Sequence, residues 1–358
     1  MRFYLIIAFS IITLPSFAKN INVSLVIPDG EGPIFWQLVS EVSMAAAISL
    51  KVDLEIIHHD SHRFASKDVI DEIAQRKVKP DYVIFFPFVG NVSAAFEQLE
   101  SAQIPFVTLE QIFSGDAKKA VGNVREKYKY WLGQIVYDNR SGGELLVKAM
   151  IKAHKIKYPN ETLYITGIGG DFDGVAQDRQ AALEDMMEDK GDSGVLINQI
   201  IPMYWNPTLI HDRFPMMQKR YPKTNAYWCA SDQMALEILK ENQAMSGSPM
   251  IIGGFDWIPD ALKKIKNKEI TASVGGHFLM AAHALIKIVD YHNGVDRFLT
   301  PPLLQQYEVI TVNNVDQYLP FLENKRWNKT DFSKYLFSKH NDLAPMLTVN
   351  NLVINAKQ

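Results

Sequence analysis

Asn22-Val23-Ser24-Leu25-Val26-Ile27-Pro28, then Phe35-Trp36-Gln37-Leu38-Val39-Ser40-Glu41-Val42, then Val52-Asp53-Leu54-Glu55-Ile56-Ile57 set the pattern of the chain. The first piece is a β-branched run that stops at a proline, which reads as a buried strand. Phe35, Leu38, Val39, Val42, Ala46 and Leu50 recur at helical spacing and predict a helix over 35–50. The third piece is a second strand. The alternation continues with helices over 65–77 and 92–102 and strands over 82–87 and 106–109. Beyond Gly133 it resumes. Strands are expected over 162–167, 197–203, 226–229, 250–255, 270–274 and 304–312. Helices are expected over 141–153, 175–189, 208–221, 232–242, 259–266 and 279–291, with Gly142 and Gly143 in the first turn of the first. Such β-α runs with short connections imply parallel sheets covered on both faces. The chain is therefore expected to form two doubly wound α/β sheets of similar size. Sheets of this kind bind ligands outside the carboxyl ends of their strands, and two facing each other make a cleft that a hinge can close.

Length and composition agree. A chain of 358 residues exceeds one compact core and favours two domains. Apolar residues are 47% and charged residues 22%, as in soluble globular proteins. The net charge of −3 leaves no basic excess for nucleic-acid phosphates. The single cysteine, Cys229, can make neither an intramolecular disulfide nor a multi-cysteine zinc site.

The first residues form a separate unit. Arg2 precedes an apolar run from Phe3 to Leu14, and Ser16 and Ala18 stand at the −3 and −1 positions of a cut after Ala18. This is the plan of a secretory signal peptide over 1–18. The run falls short of the roughly 20 residues of a spanning helix. The mature protein is expected to start at Lys19 and to be soluble in a bacterial periplasm. Residues 313–358 are polar and dotted with Tyr318, Phe321, Trp327, Phe332, Tyr335 and Phe337, and read as a C-terminal extension packed on the lobes.

No Walker loop, HExxH, GxSxG or CxxC occurs. Gly167-Ile168-Gly169-Gly170 lacks the Gly-Lys-Ser/Thr ending of a phosphate cradle and reads as a tight turn. His58, His59 and His62 read as a solvated loop, and Asp171-Phe172-Asp173-Gly174 lacks the closing Glu of a calcium loop. No metal or cofactor is expected. What remains is a set of polar and aromatic residues where strands end: Phe35, Trp36, Glu110, Arg179, Tyr204, Trp205, Ser231, Asp232, Asp256 and Trp257. Carboxylates and an arginine offer several hydrogen bonds each, and aromatic faces cover the apolar side of a sugar ring. The set suits a small polyhydroxylated ligand. Asp232 can also cap the helix that follows it.

Five segments in order resemble the type I periplasmic binding proteins, the family of the ribose-binding protein. They are Tyr137-Asp138-Asn139-Arg140-Ser141-Gly142-Gly143, Ala176-Gln177-Asp178-Arg179, Ala230-Ser231-Asp232-Gln233-Met234-Ala235-Leu236, Gly253-Gly254-Phe255-Asp256-Trp257-Ile258-Pro259-Asp260-Ala261-Leu262 and Ile270-Thr271-Ala272-Ser273-Val274. The resemblance implies forked bonds from Arg179 to ligand oxygens, acceptance of hydroxyls by Asp256 and Glu110, and aromatic cover from Phe35 and Trp205. Three positions depart from the family pattern. Ser231 stands where sugar binders often carry Asn, Ile34 where an aromatic often pairs with Phe35, and Gly275-Gly276-His277 where a Gln is usual, which adds His277 to the candidates.

On this reading there are two Rossmann-like lobes, 19–137 with 277–301 and 138–276 with 302–312. A three-strand hinge is expected near Tyr137-Asp138, Gly275-His277 and Thr300-Leu303. The resemblance implies a monomeric binding protein that delivers a sugar-like solute to an ABC permease. The alternative is a ligand-sensing partner of a membrane sensor kinase or chemoreceptor, as periplasmic autoinducer receptors are. A secreted hydrolase using Glu110 and Asp256 is the third reading.

Overall fold

The computed structural model describes residues 20–28, 34–59, 65–172, 174–188, 194–298, 302–340 and 344–355. The signal segment 1–18, His62, Asp173 and the Thr300–Pro301 part of the expected hinge lie outside them. The first sheet contains β1 (Ile21–Pro28), β2 (Val52–His59), β3 (Tyr82–Phe85), β4 (Phe106–Leu109) and β5 (Trp131–Tyr137). The second contains β6 (Leu163–Gly169), β7 (Val195–Pro202), β8 (Ala226–Cys229), β9 (Ile251–Phe255) and β10 (Ala272–Gly275). Two short strands complete them: β11 (Leu304–Gln305) pairs parallel with β5, and β12 (Glu308–Thr311) pairs antiparallel with β10. Among the described residues each sheet has six strands, in the orders β11-β5-β4-β3-β1-β2 and β12-β10-β9-β8-β6-β7. The two doubly wound sheets expected from the sequence are thus present.

Burial explains why the strands were legible. β3, β4, β8 and β9 are buried at every residue and read as apolar runs, broken only by Thr108 in β4. β2 lies at an edge, where Asp53, Glu55 and His58 are solvated. His58 and His59 belong to this strand, not to a loop. β5 escapes sequence reading because Gly133 and Gln134 interrupt its apolar run. Gly133 is there for packing, since a Cβ would lie 2.7 Å from the Phe298 ring.

The helices cover both faces: α1 (Ile34–Leu50), α2 (Ala65–Gln75), α3 (Val92–Ser101) and α4 (Gly115–Val121) follow the early strands. On the second sheet lie α5 (Asn139–Lys157), α6 (Gly174–Glu188), α7 (Thr208–Arg220), α8 (Asp232–Ala244) and α9 (Pro259–Lys266), and α10 (Met280–His292) returns to pack on α1 and β5. Among the described residues no helix is long and apolar enough to cross a membrane. The chain passes between the sheets three times. It does so after Tyr137, where Asp138 caps α5 through Ser141 N at 3.0 Å, and at Gly275-Gly276-His277, where Gly276 has φ +104°. The third passage is at Gln306-Tyr307. The single strand expected over 304–312 is split there, a few residues beyond the Thr300–Leu303 of the sequence reading.

The extension holds both lobes. Its helices are α11 (Val315–Glu323) and α12 (Val349–Asn355), with short 3₁₀ turns between them. α11 packs on α9 of the second lobe, with Asp316 paired to Lys266 at 2.8 Å and Tyr318 against the Trp257 ring at 5.1 Å. The following turns pack on α1 and α10 of the first lobe. Lys325 meets Glu41 at 2.6 Å, Phe332 N donates to Ser49 Oγ at 2.7 Å, and the Asp290 carboxylate accepts from Phe337 N and Ser338 N. Trp327 anchors this arm, fully buried and edge-on to Phe321. Trp327→Ala is expected to lower the unfolding free energy by about 3–5 kcal/mol. Its indole N–H has no hydrogen-bond partner, so Trp327→Phe should lose much less. Urea titrations of the two variants check this.

Candidate functional site

The candidate residues sit where the carboxyl ends of the strands face each other, and the backbone there is bent to aim them. Glu110 after β4, Tyr204 and Trp205 after β7, and Asp256 and Trp257 after β9 have φ of 60°, 55°, 58°, 110° and 61°. Left-handed backbone at a non-glycine residue costs about 1–3 kcal/mol. Five such residues at strand ends mark where the fold tolerates strain to place side chains.

Arg179 of α6 is the centre. Its Nε donates to Asn139 Oδ1 at 3.0 Å and its Nη1 to Ala230 O at 3.1 Å. Its Nη2 donates to Glu110 Oε1 at 2.8 Å and lies 3.2 Å from the Tyr307 hydroxyl and 3.1 Å from His277 Nε2. Tyr307 in turn donates to Asn139 Oδ1 at 2.7 Å. The guanidinium lies 4.7 Å over the Phe255 ring and 5.7 Å from the Trp205 ring. Glu110 belongs to the first lobe, and Asn139, His277 and Tyr307 stand at the three passages between lobes. One buried side chain of the second lobe therefore touches all three passages between the sheets. Two glycines admit this geometry. A Cβ on Gly143 would lie 1.9 Å from Arg179 O, and one on Gly142 would lie 2.9 Å from the Tyr307 ring.

The charges follow from burial. Burial opposes the Arg179 charge, but Tyr307, Glu110 and Asp256 together more than restore it. Burial pushes the Glu110 carboxyl up, against the pull of Arg179. Asp256 is pushed up to about 8 by burial, against the pull of Arg179. At neutral pH, Asp256 is thus a proton donor as well as an acceptor. Burial, then Arg179, holds His277 far below the usual histidine range. Neutral His277 must accept at Nε2, because Arg179 has only donors. Nε2 lies 3.4 Å from Asp256 Oδ1, and the protonated carboxyl can donate to it. The Nδ1 proton is left buried without a partner. Phe35 stacks on the imidazole at 4.3 Å. The site presents a forked cation, an ionised carboxylate, a protonated carboxyl and aromatic faces. That is a donor and acceptor set for vicinal hydroxyls, with no nucleophile and base in line.

Sequence reasoning placed Phe35, Glu110, Arg179, Trp205, Asp256 and His277 in this cluster. Four others turn elsewhere. Trp36 packs edge-on to Phe35 and Phe86 in the core. Ser231 is the N-cap of α8, accepting from Met234 N at 3.3 Å. Asp232 does not cap its own helix. Its carboxylate reaches across to the start of α9, accepting from Ile258 N at 3.1 Å and Ser273 Oγ at 2.9 Å. Trp257 is fully buried, donates to Ser273 O at 3.0 Å and faces the extension. Asn139, Tyr307 and Phe255 were missed as site residues. Asn139 and Phe255 lie inside quoted motifs, but Tyr307 carries no local signal. Gly170 faces the Trp205 ring, where a Cβ would lie 2.3 Å away, so that glycine run makes room for an aromatic. Among the described residues the one group able to hold a metal is His211, Glu237 and Glu241, away from the junction. There His211 already pairs with Glu241 and Lys240 with Glu237.

The profile of the periplasmic binding protein domain matches residues 23–294. The chain belongs to that family. Among curated proteins none matches it in sequence. Solved structures resemble it in fold. A periplasmic sugar-binding protein from Pseudomonas fluorescens is 22% identical with a TM-score of 0.80, over 93% of this chain and 99% of that one. An ABC transporter periplasmic solute binding protein from Actinobacillus succinogenes, with bound D-allose, is 16% identical with a TM-score of 0.71, over 84% and 100%. A Caulobacter myo-inositol binding protein bound to myo-inositol is 18% identical with a TM-score of 0.67, over 84% and 96%. These likenesses establish the type I fold expected from the sequence motifs.

Two outcomes follow from the junction. Gly143→Ala should force α6 off α5 and displace Arg179. We expect a loss of at least about 2 kcal/mol of stability, read by urea unfolding. The second outcome concerns pH. A carboxyl whose folded pKa lies above its unfolded value loses stability as pH rises between the two. From pH 6.5 to 8 Asp256 alone should lower stability by up to about 1.4 kcal/mol per unit. Asp232, pushed well up by burial, acts in the same direction. His277, held neutral, costs stability only below about pH 6.5. Unfolding at pH 6.5 and 8 should show the fall, and Asp256→Asn should reduce it.

Proposed function

We propose that this protein captures a small polyhydroxylated solute, a sugar or cyclic polyol, between its two lobes and hands it to an ABC permease. One observation carries the reading: Arg179 joins Glu110 of one lobe to the three passages that link the lobes, so the groups suited to ligand hydroxyls are also the groups that set the lobes' relation. A ligand that takes over these bonds bridges both lobes and favours the closed form. The lobes are 19–137 with 277–301 and 138–276 with 302–312, the short strand β11 apart, and the passages act as the hinge. The ligand set is Phe35, Glu110, Arg179, Trp205, Asp256 and His277, with Asn139 and Tyr307 orienting the arginine.

Relatives in fold carry D-allose and myo-inositol, and another is described as a galactofuranose binding protein. Those ligands share a ring with adjacent hydroxyls, which matches a forked donor beside two carboxyls. Family members are binding proteins, and we assign this one capture without turnover. It acts as a monomer, in the periplasm, after removal of residues 1–18.

The test is a thermal-shift panel on the chain from Lys19 with D-allose, myo-inositol, galactose and ribose, followed by calorimetry on any hit. A ligand that binds only the folded protein stabilises it by about 2.7 kcal/mol at a hundred times its Kd. A hit should weaken about a hundredfold or more in Arg179→Lys, which loses the fork, and also in Asp256→Ala. A hit unaffected by both changes removes this site from the proposal.

A further inference from the structure

We propose that the C-terminal extension carries a second binding site, for a small anion bearing two or more carboxylate or phosphate charges. A cavity of about 560 Å³ opens among Asn324, Arg326, Lys329, Asp331, Lys334 and Tyr335. All its lining residues follow β12, so it is separate from the Arg179 junction. The volume lies within the roughly 300–1,000 Å³ of small-molecule pockets.

Its charge is one-sided. Arg326, Lys329 and Lys334 line it with a single carboxylate, Asp331. That carboxylate is already engaged, because its Oδ1 accepts from Ser333 N at 3.0 Å and Ser49 Oγ at 3.4 Å. Nearby cations of the same surface are paired: Lys325 with Glu41, Lys263 with Asp260 and Glu323, and Lys266 with Asp316. Arg326, Lys329 and Lys334 have no carboxylate within 4.0 Å among the described residues. In a chain of net charge −3 this is a local reversal of sign. Three cations against one acid leave a surplus of two positive charges, which a dianion balances and a neutral sugar does not.

The scaffold beneath is fixed. Trp327 and Tyr335 are buried, and the loop between them is tied to α1 through Phe332 N and Ser49 Oγ. The arginine fork suits bidentate contact with a carboxylate or phosphate, and the two lysines act as point charges around it.

Titration calorimetry of the full mature chain at constant ionic strength tests this, with citrate and inorganic phosphate as separate probes. At least one should give single-site saturable binding. It should weaken about tenfold or more in Arg326→Gln and in the double variant Lys329→Ala/Lys334→Ala. It should be unchanged in Asp256→Asn, which alters only the junction. These surface substitutions should leave the thermal unfolding of the free protein as it is. Absence of saturation by either anion up to about 20 mM overturns the proposal. So does binding that survives the extension variants or is lost with Asp256→Asn. A hexaglutamate peptide that binds while both free anions do not also overturns it, since the surface would then dock an acidic protein segment.

Discussion

A single guanidinium, buried between two lobes, sets the terms for the rest of this molecule. Arg179 is only 3% exposed, so its hydrogen bonds come chiefly from protein or ligand oxygens and nitrogens. They come from a β8 carbonyl, from Asn139, His277 and Tyr307 at the passages between the sheets, and from Glu110 of the opposite lobe. Loss of one partner of a buried ion pair costs about 3–5 kcal/mol. The chain accordingly spends conformational freedom on this point. Gly142 and Gly143 let α5 approach α6 and Tyr307, and Glu110 and Asp256 accept left-handed backbone to face the arginine.

The same crowding separates the roles of the carboxylates. Glu110 has the guanidinium at 2.8 Å and carries the charge, whereas Asp256 stands at 3.8 Å and is driven toward its protonated form. Asp232 is taken out of the site altogether. It accepts instead from Ile258 N at the start of α9 and from Ser273 Oγ of β10. These bonds tie β9 and its flanking loops into one unit.

The extension adds a different constraint. Simple hinged lobes are joined only by their crossing strands. Here α11 rides on the second lobe while the turns after Lys325 ride on the first, so a fourth segment spans both. Tyr318 rests on Trp257, the residue next to Asp256, so the extension lies one side chain away from the junction.

Much was legible from residues alone. Strands such as Tyr82–Phe85 and Ala226–Cys229 are buried on both faces and must be apolar throughout. Periodicity and breakers therefore exposed two doubly wound sheets, the strand ends exposed Glu110, Trp205 and Asp256, and the Ala176–Arg179 segment exposed Arg179. What the sequence could not decide was direction. Asp232 and Asp256, or Trp36 and Phe35, look equivalent at a strand end, yet one of each pair faces the junction and the other the core. For Asp256 that choice is made by left-handed backbone, and for Phe35 and Trp36 by their places on α1, not by residue type. Tyr307 reaches Arg179 only because two strands of different sheets, β11 and β12, hold the chain on either side of it. Local sequence records the pattern that builds each sheet. Contacts such as those of Arg179 with Glu110, His277 and Tyr307, 69, 98 and 128 positions away, are settled only when the sheets meet.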